Sequence, residues 1–246
     1  MKLHISKNVN QVIYSLLACV MILAQNNVIA KTENTFQKKL SKIFQLAKKN
    51  SLIEAELSYY LYSSFSEKIT VTSGKMLLKK PYFFRWDIIK PEKELQIYNG
   101  QTLWKFMPNL KHAQCIPLLP TKIYFLDFLN NLNNLEKNFS LTQSNSKTFY
   151  SVSREKYPQI STVKKSLNRD KIFLKLTPKK TQNKNDLVYF LVLDSKKGDI
   201  NEVFISKRNG NQLLFIFSQA KSVKRLKDKN SFVFNPPKNI IIDKCK

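Results

Sequence analysis

A chain of 246 residues with a formal charge of +25, 43% hydrophobic residues and 24% charged ones has enough apolar material for a packed core, which excludes wholesale disorder. Gly74, Gly100, Gly198 and Gly210 stand too far apart to form a GxGxxG or phosphate-cradling loop, and His4 and His112 cannot make a multi-histidine metal site. Only Arg85, Arg154, Arg169, Arg208 and Arg225 are arginines among the 42 basic residues, and the lysines are spread along the chain, whereas recognition of bases and phosphates favours arginine forks. No nucleic-acid partner, no cofactor and no metal are expected, and a catalytic triad would have to rest on His112 alone.

The N-terminus reads as an address. Lys2 and Lys7 precede an apolar run over 12–24, and Val28-Ile29-Ala30 supplies the small-residue pattern of a secretory signal peptide cleaved after Ala30. That run falls short of the about 20 residues a membrane span needs. Leu16-Leu17-Ala18-Cys19 faintly resembles a lipoprotein signal, and acylation at Cys19 would instead tether the chain. The remaining 31–246 is expected to form a single exported domain. In an oxidising compartment Cys115 and Cys245 have one possible pairing, the alternative being two free thiols.

Residues 33–50 carry an apolar stripe at helical spacing: Phe36, Leu40, Ile43, Phe44 and Ala47, with Asn50 at its end. From 52 the period changes to two, with Ile53, Ala55, Leu57, Tyr59 and Leu61 on one side. A strand over about 69–80 turns Gly74, Met76 and Leu78 to one side, and Pro81 ends it. The next, 82–89, puts Tyr82, Phe84, Trp86 and Ile88 on one face and Phe83, Arg85 and Asp87 on the other. Asn99-Gly100 between two alternating runs predicts a two-residue hairpin that sets Ile97 opposite Thr102 and Leu95 opposite Trp104. Leu95, Ile97, Trp104 and Phe106 then form one apolar patch. Residues 120–136 break the strand pattern, with Ile123, Phe125, Leu126 and Leu129 on a helical face. Strands are expected at about 138–143, 147–153, 171–177, 186–194, 200–207 and 212–220, with 154–170 an inserted polar loop and Phe232–Phe234 a last short strand. About ten strands without βαβ alternation imply a mainly β, α+β fold: an antiparallel sheet curled into an incomplete half-barrel with a helical lid.

Four segments carry a resemblance. Ser73-Gly74-Lys-Met-Leu-Leu-Lys-Lys-Pro81-Tyr-Phe-Phe-Arg-Trp86, the stretch from Pro91 to Ile97, Asn99-Gly-Gln-Thr-Leu-Trp104-Lys-Phe-Met-Pro108 and Phe232-Val-Phe-Asn-Pro-Pro-Lys-Asn-Ile240 resemble, in order, motifs of the periplasmic outer-membrane lipoprotein carrier (LolA) family. The resemblance implies a non-enzymatic periplasmic chaperone. Its cargo would be acylated lipoproteins, received from an inner-membrane ABC lipoprotein-releasing complex and passed to an outer-membrane receptor. A tethered half-barrel receptor or envelope sensor is the alternative, and the chain is expected to be a monomer.

Strand parity then nominates the walls of an acyl cavity: Met76, Leu78, Phe84 and Trp86; Leu95, Ile97, Trp104 and Phe106; and Phe215 and Phe217, alongside Leu213. Ile123, Phe125, Leu126 and Leu129 are expected on the lid. Lys80 stands where the family has an arginine that holds the lid helices shut, and a lysine, as a point donor, implies a weaker or shared latch.

Overall fold

The structure is a computed structural model that describes residues 35–118, 132, 135–157, 170–179, 186–243 and 245. The expected signal peptide, the lid positions Ile123, Phe125, Leu126 and Leu129, and most of the expected insertion lie outside these residues. The chain divides into two compact units, Met1–Lys42 and Ile43–Lys246. Helix α1, residues 35–49, begins in the first and ends in the second. Its periodicity is as expected, because Leu40, Ile43, Phe44 and Ala47 are all buried.

The second unit is built on one sheet. Its strands are β1 (Leu52–Ser63), β2 (Lys68–Lys79), β3 (Phe83–Lys90), β4 (Glu94–Asn99), β5 (Thr102–Met107), β6 (His112–Pro117), β7 (Phe139–Ser144), β8 (Lys171–Pro178), β9 (Asp186–Asp194), β10 (Ile200–Lys207), β11 (Gln212–Ser222) and β12 (Ile241–Asp243). They lie in the order β12-β6-β5-β4-β3-β2-β1-β11-β10-β9-β8-β7. Among the described residues the two ends of this order do not pair, so the sheet stays open and the barrel incomplete. Neighbouring strands are antiparallel except at the edge, where β12 runs parallel to β6. Sequence neighbours form most of the ladder, and the long-range closure is β1 against β11. Gly74 makes room in the β2–β3 pair, since a Cβ there would stand 2.1 Å from the Asp87 carbonyl oxygen.

Three expectations from the sequence are corrected. Residues 146–153 form helix α3 (Ser146–Ser153), the short α2 being Leu135–Asn138, and not a strand. Asn145 in an extended conformation accepts a hydrogen bond from the Thr148 amide at 2.8 Å, an N-cap that outweighs the β-propensity of Thr148, Tyr150 and Val152. Phe149 then drops into a core with Tyr157, Phe173, Phe190, Phe204 and Leu214. The last strand is Ile241–Asp243 and not Phe232–Phe234, because those phenylalanines are used as side chains against the sheet. The β4–β5 hairpin turns on Gly100 and Gln101, with Ile97 opposite Trp104 and Leu95 opposite Phe106. Asn99 accepts from the amides of Gln101 and Thr102, holding the chain one residue later than expected, while Gly100 takes φ +95°. The partners move by two residues, so parity is kept and Leu95, Ile97, Trp104 and Phe106 still share a face.

The C-terminal segment straps the β4–β6 end. Phe234 stacks on Trp104 with ring centroids 4.9 Å apart and touches Phe106 at 5.7 Å; Phe232 meets Phe83 at 5.7 Å. His112 and Asp243 approach to 3.1 Å, and Cys115 and Cys245 form the disulfide left open by the sequence. The bridge spans 130 residues, so it removes much loop-closure entropy from the unfolded chain. Replacing both cysteines by serine is expected to lower unfolding stability by about 2–5 kcal/mol. Urea denaturation of oxidised, reduced and doubly substituted protein checks this; coincident midpoints would contradict it.

Candidate functional site

Register divides the nominated residues between the two faces of the sheet. Across β1, β2 and β3, Ile53 pairs with Leu78 and Leu78 with Phe84, while Ala55 pairs with Met76 and Met76 with Trp86. On the other flank of β1, Leu57 pairs with Phe217 and Tyr59 with Phe215. Paired residues point to the same side, so Met76, Leu78, Phe84, Trp86, Phe215 and Phe217 lie on one face, called here the apolar face. It continues through Val203, Leu191 and Leu174 on β10, β9 and β8. These side chains are buried, Leu78 at 0% and Trp86 at 5% exposure.

Leu95, Ile97, Trp104 and Phe106 do not join them. Arg85 pairs with Ile97 and Asp87 with Leu95, so this set stands on the opposite face with Phe83 and Arg85. The two sets therefore cannot wall one cavity, a correction to the expectation from strand parity alone. The physical reason is the three-residue connection over 91–93, whose length sets the relative parity of β3 and β4. The second set is already covered by the aromatic rings of the C-terminal strap. Tyr82, expected beside Phe84, precedes β3 with φ +69° and so belongs to the turn.

The opposite face also holds a polar cavity of about 530 Å³. Glu54, Glu56, Lys75 and Arg85 line it together with Arg225 and Lys227. Arg85 grips Asp87 through two hydrogen bonds of 2.8 and 2.7 Å, and Lys221 approaches Glu54 at 3.1 Å. This fixed charge does not suit an alkyl chain.

Lys80 meets the end of α1. Its backbone amide donates to the Ser51 carbonyl at 2.8 Å and its Nζ to the Ala47 carbonyl at 2.6 Å. Ala47 is in the last turn, where its carbonyl also accepts from the Asn50 amide at 3.3 Å and the helix dipole favours a cation. Burial lowers the Lys80 pKa from its ordinary 10.5, while the charge of Asp199 acts the other way. Asn50, which ends α1, donates to Asp199 at 2.8 Å and to the Lys197 carbonyl at 3.2 Å. Gly198 between them has φ +75°, and a Cβ there would lie 2.6 Å from the Ala47 nitrogen and 2.7 Å from the Ile43 carbonyl oxygen. Burial raises the Asp199 pKa, and the Asn50 hydrogen bond partly opposes that shift. The sequence singled out Lys80 but missed Gly198 and Asp199, because only the fold brings the β9–β10 turn to the end of α1.

The same face changes character along one cross-strand row. Ala55, Met76 and Trp86 continue into Gln96, Lys105 and Gln114 through successive register pairs on β4, β5 and β6. Sequence reading passed over this polar half, although its alternation with Ile97 and Trp104 was visible once the hairpin was recognised.

The profile of the family described as "Outer membrane lipoprotein carrier protein LolA" matches residues 60–235. The chain is similar to an outer-membrane lipoprotein carrier protein of Photobacterium profundum, at 23% identity over 81% of this chain and 87% of that one. It is similar to another of Aeromonas salmonicida, at 21% identity over 93% and 96%. Among solved structures it is similar to a LolA superfamily protein of Nitrosomonas europaea, at 12% identity over 79% of this chain and 97% of that one, with a TM-score of 0.40.

Gly198→Ala is expected to cost at least about 1 kcal/mol in denaturant unfolding, since it adds both a steric clash and a strained φ. A neutral result would contradict the close contact with α1. For Lys80 the sign follows from its lowered pKa. Between that value and 10.5 the unfolded chain binds more protons at this site than the folded one, so this group makes stability rise with pH. Tyr59, Tyr98, Tyr150 and Tyr157, whose pKa values are raised, act in the opposite sense as they ionise. The difference between wild type and Lys80→Met across this window isolates the lysine; identical pH profiles would show that Nζ is not held against α1.

Proposed function

The chain belongs to the outer membrane lipoprotein carrier (LolA) family, and on that premise we propose that it is a periplasmic, monomeric chaperone that carries lipoproteins by their acyl chains. The observation that carries this reading is the continuous apolar face running from β3 to β8, with Met76, Leu78, Phe84, Trp86, Phe215 and Phe217 aligned by register.

The physical task sets the requirement. Each methylene exposed to water costs about 0.8 kcal/mol, so a protein anchored by two or three acyl chains does not leave a membrane unaided. An open sheet with one apolar face can replace the bilayer around those chains. Its binding must be weak enough for release, which demands two states of different affinity and no covalent step. Lys80 on the last turn of α1 is the latch in this reading, with Ile123, Phe125, Leu126 and Leu129 as the expected lid. An inner-membrane ABC complex would supply cargo and an outer-membrane receptor would accept it. Residues 31–246 would be the mature domain, following cleavage after Ala30.

Incubating mature protein with vesicles that hold an acylated lipoprotein is expected to yield a soluble complex, while cargo lacking its acylated cysteine is not retained. Equal recovery of both forms would sink the reading. Phe84→Ala and Phe217→Ala are expected to lower the yield several-fold, since each deletes a large apolar surface. Trp104→Ala, on the opposite face, is expected to leave the yield unchanged while weakening the strap.

A further inference from the structure

Trp86 is buried, and its indole N–H has no hydrogen-bond partner among the described residues. A buried donor left unpaired loses its hydration without replacement, so such groups are rare and call for an explanation. An indole usually finds an acceptor when buried. Position supplies the explanation here. Trp86 sits where the cross-strand row passes from Ala55 and Met76, both apolar, to Gln96, Lys105 and Gln114. Ala55, Met76 and Trp86 are buried, whereas Gln96, Lys105 and Gln114 are half-buried. Its register partner Gln96 does not satisfy the indole: the Gln96 amide nitrogen turns to Glu94, to which it donates at 2.8 Å, and the Trp86 N–H has no acceptor among the described residues.

An amphiphile has the same order of chemistry along its length: hydrocarbon, then the ester carbonyls, then a polar head. We propose that Trp86 is a specificity-determining contact whose Nε1–H donates to an ester carbonyl oxygen at the junction of an acyl chain with its glyceryl linkage. The chain itself lies towards Met76 and Ala55, and the linkage and head lie towards Gln96, Lys105 and Gln114. The ligand class is therefore ester-linked acylglycerol: a hydrocarbon leaves the donor unpaired, and an ether-linked chain of equal length lacks the carbonyl oxygen at which the donor is aimed. This inference rests on the acyl-carrier reading and adds to it the orientation of the bound chain and the atom that reads its linkage.

The test uses the mature protein and two probes, a diacylglycerol and its dialkyl ether analogue of equal chain length, each competing against a bound fluorescent fatty probe. Wild type is expected to prefer the ester by roughly tenfold, the effect of satisfying one buried donor. Trp86→Phe is expected to lose that preference, the ratio of ester to ether affinity falling from roughly tenfold to about one. Ester and ether binding equally well to wild type, or a preference that survives in Trp86→Phe, would overturn the Trp86 contact and leave the carrier reading standing. Failure of wild type to take up either lipid would overturn both. A readout independent of any variant is the infrared carbonyl stretch of a carbon-13-labelled ester. It is expected to move to lower frequency on binding to wild type, and a band at its position in dry hydrocarbon would refute the hydrogen bond even if Trp86→Phe failed to fold.

Discussion

Alternation along paired strands is the constraint from which the rest of this structure follows. Side chains repeat with a period of two, so a register fixed at one pair assigns every residue of two strands to one side or the other. Trp86 opposite Gln96 puts Arg85 opposite Ile97, and Leu95, Ile97, Trp104 and Phe106 go to the side away from Phe84, while Tyr98 and Leu103 stay with it. A slip of one residue would exchange the two surfaces. That pairing gives the sheet one face of mainly Leu, Phe and Val from β3 to β8, and another on which fixed ion pairs and the C-terminal strap meet.

The two faces are finished in different ways. Opposite the apolar face, the β4–β6 end is covered by the chain's own Phe232 and Phe234, and the covering is pinned by the Cys115–Cys245 bridge and the His112–Asp243 pair. The β8–β11 end is covered by Phe149 of α3 and by Tyr157, whose hydroxyl donates to the Gln212 carbonyl at 2.8 Å and accepts from the Tyr62 amide at 3.1 Å. A buried Arg154–Glu202 pair lies beneath α3, with Arg154 over the rings of Phe149 and Tyr150. Such a pair holds geometry more surely than it adds stability. These covers are built from a disulfide, ring stacking and a buried ion pair. The contacts at the end of α1 are of another kind: two hydrogen bonds each from Lys80 and Asn50, and a glycine that lets the helix approach. On the proposed carrier role, that contrast would leave one surface sealed and the other joined by contacts weak enough to exchange.

Much of this was legible beforehand. The helix stripe, the strand that contains Gly74, the strands on either side of Asn99-Gly100, and the β9, β10 and β11 segments appear where alternation and turn residues place them. The order of motifs from Ser73 to Phe234 was specific enough to identify the family. What failed did so for local reasons. Asn145 caps a helix in a stretch of β-formers, and Asn99 moves the hairpin by holding two amides.

By itself the sequence determined the class of fold, the family and, Tyr82 apart, which nominated strand residues share a stripe, because periodicity, turn chemistry and motif order are local properties that survive without knowledge of contacts. Which stripes share a face was decided only by the tertiary structure. The connections between strands set relative parity, and the sequence of a three-residue loop does not state how many residues it removes from the ladder. The same holds for Trp86. Its burial, its unpaired N–H and its place between Met76 and Gln96 exist only once three separate strands are laid side by side.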